Sequence, residues 1–286
     1  MSGPRAVAPG VADLVARALA EDLTPLGDIT SALLPPGAWA TARVVPRSAG
    51  VLAGRDAATE TFRQVDPGVV VDWSADDGDA VRPGEAVATV DGPLASVLTA
   101  ERTALNLLCH LSGIATLTRR FVDAVAAAGG TAMVWDTRKT TPGLRSLEKA
   151  AVRAGGGVNH RGNLSDWVMF KDNHLAVLPI DEAVRAARKQ WPGRTVHVEC
   201  DSLDQVRQAA DAGATAVLLD NMTPDEVRSA VEVVAGRCLV EVSGGVTIDT
   251  VADYAVPGVD CISSGSLTSS APVLDLGLDV EPRPPA

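Results

Sequence analysis

No apolar run in this chain approaches the roughly 18 residues that a membrane-spanning helix needs, which argues against a helical membrane protein. The opening MSGPRAVAPG lacks the apolar core of a secretion signal, so a cytoplasmic location is expected. Aromatic residues make up only 3% of the 286 positions, so the core must be built from Ala, Val and Leu. The four cysteines (Cys109, Cys200, Cys238, Cys261) form no CxxC pair. That spacing speaks against a zinc ribbon or a disulfide framework and leaves free, buried thiols as the expectation. Positive charge is also short. The net charge is −11, which argues against general nucleic-acid binding. Only four lysines are present, and three of them (Lys139, Lys149, Lys171) fall in one stretch.

That stretch is where the chemistry concentrates. WDTRKTTPG supplies Arg138 and Lys139, and GGGVNHRGNLSDWVMFKDNH supplies His160, Arg161, Lys171 and His174. A local cation cluster in an acidic protein serves a specific anion. Arg offers a planar fork for carboxylates and Lys a compact charge, so Arg138, Arg161, Lys171 and His160 suit a small di-anion. His110 and His197 are expected to be structural. Arg145, Lys149 and Arg153 share helical spacing. GGG at 155–157 follows a helical run, where Gly155 reads as a terminator.

The pattern changes near residue 110. Before it, short β-like runs alternate with Gly, Pro and Asp turns, between helices expected near Ala12–Glu21 and Ala95–Leu111. This predicts an α+β domain with an antiparallel sheet over 1–110. From about 130, apolar strands recur at 132–136, 167–171, 196–200, 216–220, 239–243 and 261–265. Amphipathic segments lie between them, at Asp181–Gln190, Leu203–Ala212, Pro224–Ala235 and Ile248–Tyr254. Strands alternating with helices imply parallel βαβ units, and their regular spacing suits an incomplete TIM-like α/β barrel over 111–286. The tail 270–286 is free to pack back on the first domain.

Each strand of that second half ends in a polar or charged residue. Parallel barrel strands end on one rim, where active sites are built, so a ring of Arg138, Lys139, Lys171, Glu199 and Asp220 is expected around one cavity. Glu199 and Asp220 have the wrong sign for an anion and suit sugar hydroxyls or magnesium beside a phosphate. The last two strands run into EVSGGV and SSGSLT. Small residues directly after a strand let backbone N–H groups approach a phosphate, which points to Ser243, Gly244, Gly245, Ser264 and Gly265.

With these motifs in place the chain resembles the quinolinate phosphoribosyltransferase family, also called nicotinate-nucleotide pyrophosphorylase (carboxylating). The likeness runs from about Val11 to Ser270, through EDLTPLGDITS, ERTALNLLCHLSGIATLT, DTRKTTPGLR, KAAVRAGGGVNHR, LSDWVMFKDNH, VEC, LLDNM, EVSGGV and ISSGSLT. The resemblance implies a homodimer and transfer of phosphoribose from phosphoribosyl pyrophosphate (PRPP), with magnesium, to quinolinate in de novo NAD biosynthesis. The products are nicotinate mononucleotide, pyrophosphate and carbon dioxide. It implies that Arg138, His160, Arg161 and Lys171 grip the two quinolinate carboxylates, with Arg102 reaching in from the partner subunit. It assigns Lys139, Glu199 and Asp220 to catalysis around the ribose, pyrophosphate and metal, and the Ser–Gly turns to the 5′-phosphate. Two positions depart from the pattern. Ser269 stands where the family often has histidine, and HRGNLSD shifts a glycine by one place.

Three other readings share parts of this pattern. A paralogous phosphoribosyltransferase of the molybdenum-transport-associated type, acting on another aromatic acid, is the alternative function. Lys171 followed by DNH favours quinolinate over it. A phosphate-binding barrel isomerase would not need Arg138, Arg161 and Lys171 together. A non-catalytic sensor would not need Lys139, Glu199 and Asp220.

Overall fold

The computed structural model describes residues 10–285. Its helices and strands follow in chain order. The first half holds α1 (Val11–Leu23), β1 (Trp39–Pro46), β2 (Gly50–Val51), α2 (Arg55–Val65), β3 (Val70–Trp73), β4 (Ala80–Val81), β5 (Ala88–Pro93) and α3 (Leu94–Ala127). Then come β6 (Met133–Trp135), α4 (Arg145–Ala154), β7 (Val168–Phe170), α5 (Asp172–Leu175), α6 (Ile180–Gln190), β8 (Val196–Cys200) and α7 (Leu203–Asp211). β9 (Ala216–Asp220), α8 (Pro224–Val234), β10 (Leu239–Ser243), β11 (Cys261–Ser263), α9 (Ser266–Ser269) and β12 (Leu276–Arg283) complete the chain. The residues divide into two compact units. Among the described residues one comprises 10–117, 142–156 and 271–285, the other 118–141 and 157–270.

The first unit carries an antiparallel sheet in the order β12–β1–β5–β3 and a small β2–β4 pair. On β1, Ala40, Ala42 and Val44 are buried at every second position, the period that turns alternate side chains to one face. Ala42 and Val44 join Val90, Val97, Leu105 and Leu108 in the core. α3 runs sixteen residues beyond the Leu111 end expected from sequence. Gly113 sits inside it because the backbone is approached there. A β-carbon at 113 would lie 2.1 Å from the carbonyl oxygen of Pro272.

The second unit is a six-stranded parallel sheet in the order β6–β11–β10–β9–β8–β7, with helices between most strands. The helices follow the expected 3.6-residue period. α6 buries Ile180, Ala183, Val184 and Ala187, and α7 buries Val206, Ala209 and Ala210. α8 opens with Pro224 at its first turn and a capping box between Thr223 and Glu226, a device stabilising by about 1 kcal/mol. These Ala- and Val-rich stripes cover the outward residues Val198, Val217, Leu219, Val240 and Val242, all buried. The edge strands approach one another despite sharing no ladder. Trp135 on β6 and Trp167 just before β7 lie with ring centroids 6.1 Å apart. The sheet therefore curls round its own inner face.

The segment 248–254 forms only a 3₁₀ turn at Val251–Tyr254. EVSGGV thus runs into that irregular stretch rather than an α-helix. α4 ends at Ala154 with Gly155 as its C-cap, as expected, and Gly156 next to it takes the left-handed conformation (φ 88°).

Candidate active site

The inner face of the curled sheet is polar where its outer face is apolar. Counting by two along β8, β9 and β10 puts His197 and Glu199, Leu218 and Asp220, and Glu241 and Ser243 on the inside. Every inward residue of these except His197 lines one pocket of about 560 Å³. The loops after the strands complete it. Thr137, Arg138 and Lys139 follow β6, Lys171 follows β7, Gly244 and Gly245 follow β10, and Ser264 and Gly265 follow β11. His160 and Arg161 also line it. Twelve of the thirteen candidates from sequence thus meet in one cavity. The thirteenth, Arg102, is exposed on α3 and is not among the lining residues.

Buried contacts hold the cations in place. Asp136, at the end of β6 and fully buried, accepts from the His160 backbone N–H at 2.9 Å and from the Asn159 side chain at 2.6 Å. That anchors the chain just before Arg161. Asp166 accepts from Gly162 N–H at 2.5 Å and Asn163 N–H at 3.3 Å, closing the next loop, and these bonds hold its carboxyl below the usual range. Arg161 is 8% exposed. Burial and then the neighbouring Arg138 guanidinium pull its pKa down, while Glu241, Glu199 and Asp166 oppose them. Two guanidiniums crowded in a half-dry site are poised for an anion. The Lys171 ammonium contacts the Glu199 carboxylate across the β7–β8 edge.

On the opposite rim the backbone is shaped by glycine. Gly244 and Gly245 both take positive φ, at 90° and 63°. A β-carbon at 244 would lie 2.4 Å from Asn221 Oδ1 and 2.6 Å from Asn221 N. Asn221 itself adopts the left-handed region (φ 57°), donates its backbone N–H to Ser243 O and its side-chain N–H to Asp220 Oδ2 at 2.8 Å. Ser264 is buried and its hydroxyl donates to Val246 O at 2.7 Å, tying the two glycine turns together. Lys139 extends over Gly265, and the Thr268 hydroxyl donates to its carbonyl at 2.8 Å. Ser269, on the same rim, donates its hydroxyl to Gly265 O at 2.9 Å.

The floor holds a group that strand-end reasoning did not single out. Glu241 is fully buried, with its carboxylate 3.4 Å from His160 Nε2 and 3.6 Å from His197 Nδ1. Burial works to raise its pKa. The two imidazoles, with Ser263, outweigh that and hold it down to about 2. The signal was present as parity, because Glu241 shares a face with Ser243 two residues on. His197 shares a face with Glu199 in the same way. His110, by contrast, lies in the other unit, where Nε2 is 2.8 Å from buried Glu148. The four cysteines are free thiols. Burial pushes Cys200 up to about 12 and raises Cys261 further, so neither is a nucleophile at neutral pH.

A curled α/β sheet with cations, two rim carboxylates and Ser–Gly turns at its strand ends has the chemistry to suit anionic, phosphorylated ligands. Comparison with known proteins narrows this. Residues 28–112 match the domain family described as "Quinolinate phosphoribosyl transferase, N-terminal domain", and residues 114–279 match "Quinolinate phosphoribosyl transferase, C-terminal domain". The nicotinate-nucleotide pyrophosphorylase [carboxylating] of Mycobacterium leprae is 44% identical over 275 residues, covering 94% of this chain and 96% of that protein. The human protein of the same name is 43% identical over 237 residues, covering 81% and 79%. The solved structure of NadC from Streptococcus pyogenes superposes with a TM-score of 0.92 at 38% identity, covering 98% of this chain and all of that one. The Francisella tularensis nicotinate-nucleotide pyrophosphorylase gives 0.91 at 37%, covering 95% and 96%. The chain belongs to the quinolinate phosphoribosyl transferase family.

Proposed function

We propose that this protein transfers the phosphoribosyl group of PRPP to quinolinate, releasing pyrophosphate and carbon dioxide and forming nicotinate mononucleotide for NAD synthesis. The observation that carries the reading is the gathering of Arg138, Lys139, His160, Arg161 and Lys171 with two Ser–Gly turns in one pocket of a chain whose net charge is −11.

In this reading Arg138, His160, Arg161 and Lys171 hold the two carboxylates of the di-acid, and the turns at 243–245 and 264–265 hold the 5′-phosphate. The pyridine nitrogen attacks C1 of the ribose as pyrophosphate leaves, and positive charge develops on the sugar. Glu199 and Asp220, inward on β8 and β9, stabilise that charge or fix the ribose hydroxyls. Lys139 neutralises the leaving pyrophosphate. After transfer the ring nitrogen is cationic and stabilises the electron pair left when the C2 carboxylate departs as carbon dioxide, and C2 then takes a proton from water to give nicotinate mononucleotide. Holding two highly charged reactants in line removes much of the barrier, because effective molarity alone is worth roughly 7–11 kcal/mol.

The donor set fits magnesium. Asp220 and Glu199 are oxygen ligands on the rim, and magnesium typically takes one or two carboxylates and fills its sphere with water and phosphate. When bound it would supply charge neutralisation on the pyrophosphate. Asp220 is the better candidate, since Glu199 is engaged by Lys171. By the family resemblance Arg102 is assigned to the partner's pocket in a homodimer; it is exposed and is not among the residues lining the pocket of its own chain. No described helix is long and apolar enough to cross a membrane, and a cytoplasmic location is part of this proposal.

The test is a product assay with magnesium, PRPP and either quinolinate or nicotinate. Nicotinate mononucleotide and carbon dioxide from quinolinate alone are expected. Product from nicotinate would remove the need for a second carboxylate, and no product from either would overturn the reading.

A further inference from the structure

Glu241 is buried, yet neither of its oxygens has a hydrogen bond of good geometry, and the same holds for His197 Nδ1. A charge-assisted N–H···O⁻ bond closes to about 2.7–2.9 Å. The gaps to His160 and His197 are 3.4 and 3.6 Å. A tetrahedral zinc ion with bonds of about 2.0–2.1 Å separates neighbouring ligand atoms by about 3.3–3.4 Å. The donor atoms of His160, His197 and Glu241 all fall within 4.8 Å of one another, so their spacing suits a bridging cation better than direct bonds.

We propose that His160, His197 and Glu241 form a binding site for a divalent d-block cation of the zinc and cobalt type, in the floor of the pocket. Two imidazole donors select against magnesium, which takes oxygen. Both rings are held by an aromatic wall. Trp167 stacks on His197 at 5.0 Å and 16°, and meets His160 edge-on at 4.8 Å. Trp135 meets His160 edge-on at 5.5 Å. Packing against these rings confines both imidazoles, and an apolar shell limits solvent access at a metal. Glu241 and His160 line the pocket, so a fourth ligand has open space to come from. Arg161 and Arg138 repel a cation there, which keeps the affinity micromolar. Occupancy removes His160 from substrate binding and so inhibits. That consequence, unlike the binding itself, rests on the quinolinate reading above.

The experiment titrates chelator-treated protein with zinc chloride by calorimetry, without substrates, and follows cobalt(II) by visible absorption. We expect one saturable site per chain with Kd of about 10 μM or below, and the intense cobalt bands of a four-coordinate centre. His197→Ala, its melting temperature checked against the parent, weakens zinc binding at least about tenfold and raises the inhibitory zinc concentration equally, with magnesium-dependent turnover retained. No saturable binding overturns the site, as does binding indifferent to both His197→Ala and Glu241→Gln. The cobalt spectrum of the parent protein decides even if the variants fail to fold. Zinc binding at this site without inhibition supports the site and counts instead against His160 as a substrate ligand.

Discussion

Lys139 lies across Gly265, so that a β-carbon at 265 would come within 2.7 Å of the lysine Cδ. The Thr268 hydroxyl holds the lysine carbonyl from the same turn. The β11 turn therefore serves two purposes. It lines the pocket through Ser264, Gly265 and Ser266 and sets the direction of the lysine proposed to meet the pyrophosphate. Gly265→Ala should push that side chain aside and lower kcat at least about tenfold, or about 1.4 kcal/mol, with little change in melting temperature. Steady-state kinetics beside a thermal melt check it, and an unchanged kcat would detach Lys139 from the chemistry.

Gly244 is constrained from two directions. Its φ of 90° disfavours any L side chain, and a β-carbon would meet Asn221 backbone nitrogen at 2.6 Å. Left-handed backbone alone costs about 1–2 kcal/mol for a non-glycine residue. Gly244→Ala should therefore lose at least that much stability in a denaturant titration and raise the KM for PRPP more than that for quinolinate. Equal rises in both KM values would mean general damage rather than loss of a phosphate cradle.

Arg161 is buried beside Arg138 with Glu241 in support. Arg161→Ala should cost at least about 2 kcal/mol in kcat/KM for quinolinate, the scale of a lost buried charge partner. Parent-level kcat/KM in the variant would place the di-acid elsewhere.

Arg102 is exposed on α3. Arg102→Ala and Lys171→Ala should each be inactive alone. Mixed under conditions of subunit exchange, they should regain part of the activity in hybrid dimers that hold one intact site. Absence of recovery, with exchange verified by mass spectrometry, would count against a shared site.

Asp28 closes the loop after α1. It accepts from Ser31 N–H at 2.9 Å, Thr30 N–H at 3.0 Å and the Thr99 hydroxyl at 2.9 Å. Bonds from Ser31 lead in lowering its pKa from 3.8 to about 2. A carboxylate depressed on folding stabilises the fold above its unfolded pKa and loses that contribution as pH falls through the folded value. Asp28→Ala should melt below the parent at neutral pH, and the gap should narrow as pH drops from about 4 towards about 2. A gap that is constant with pH would assign the loss to packing.

The amino-acid order determined a good deal by itself. Short, mostly apolar strand-like runs ended at Lys171, Glu199, Asp220 and Ser243, and parallel strands must end on one rim, so the rim residues were legible. The 3.6-residue stripes of α6, α7 and α8 were legible for the same reason. Each is a local period, and a period needs no knowledge of distant residues. Other features depended on the tertiary fold. Ser112 and Gly113 look like a break, yet α3 continues through them because Gly113 lets Pro272 approach from far along the chain. Ile248–Tyr254 has helical spacing but forms only a 3₁₀ turn at Val251–Tyr254. Glu241 and His197 lie inside their strands rather than at the ends, and only the curling of the sheet brings them to His160 beneath the pocket. Side-chain parity says which face a residue joins. Which residues from other strands share that face is decided by closure of the sheet, through contacts such as that between His160 and Glu241, 81 positions apart.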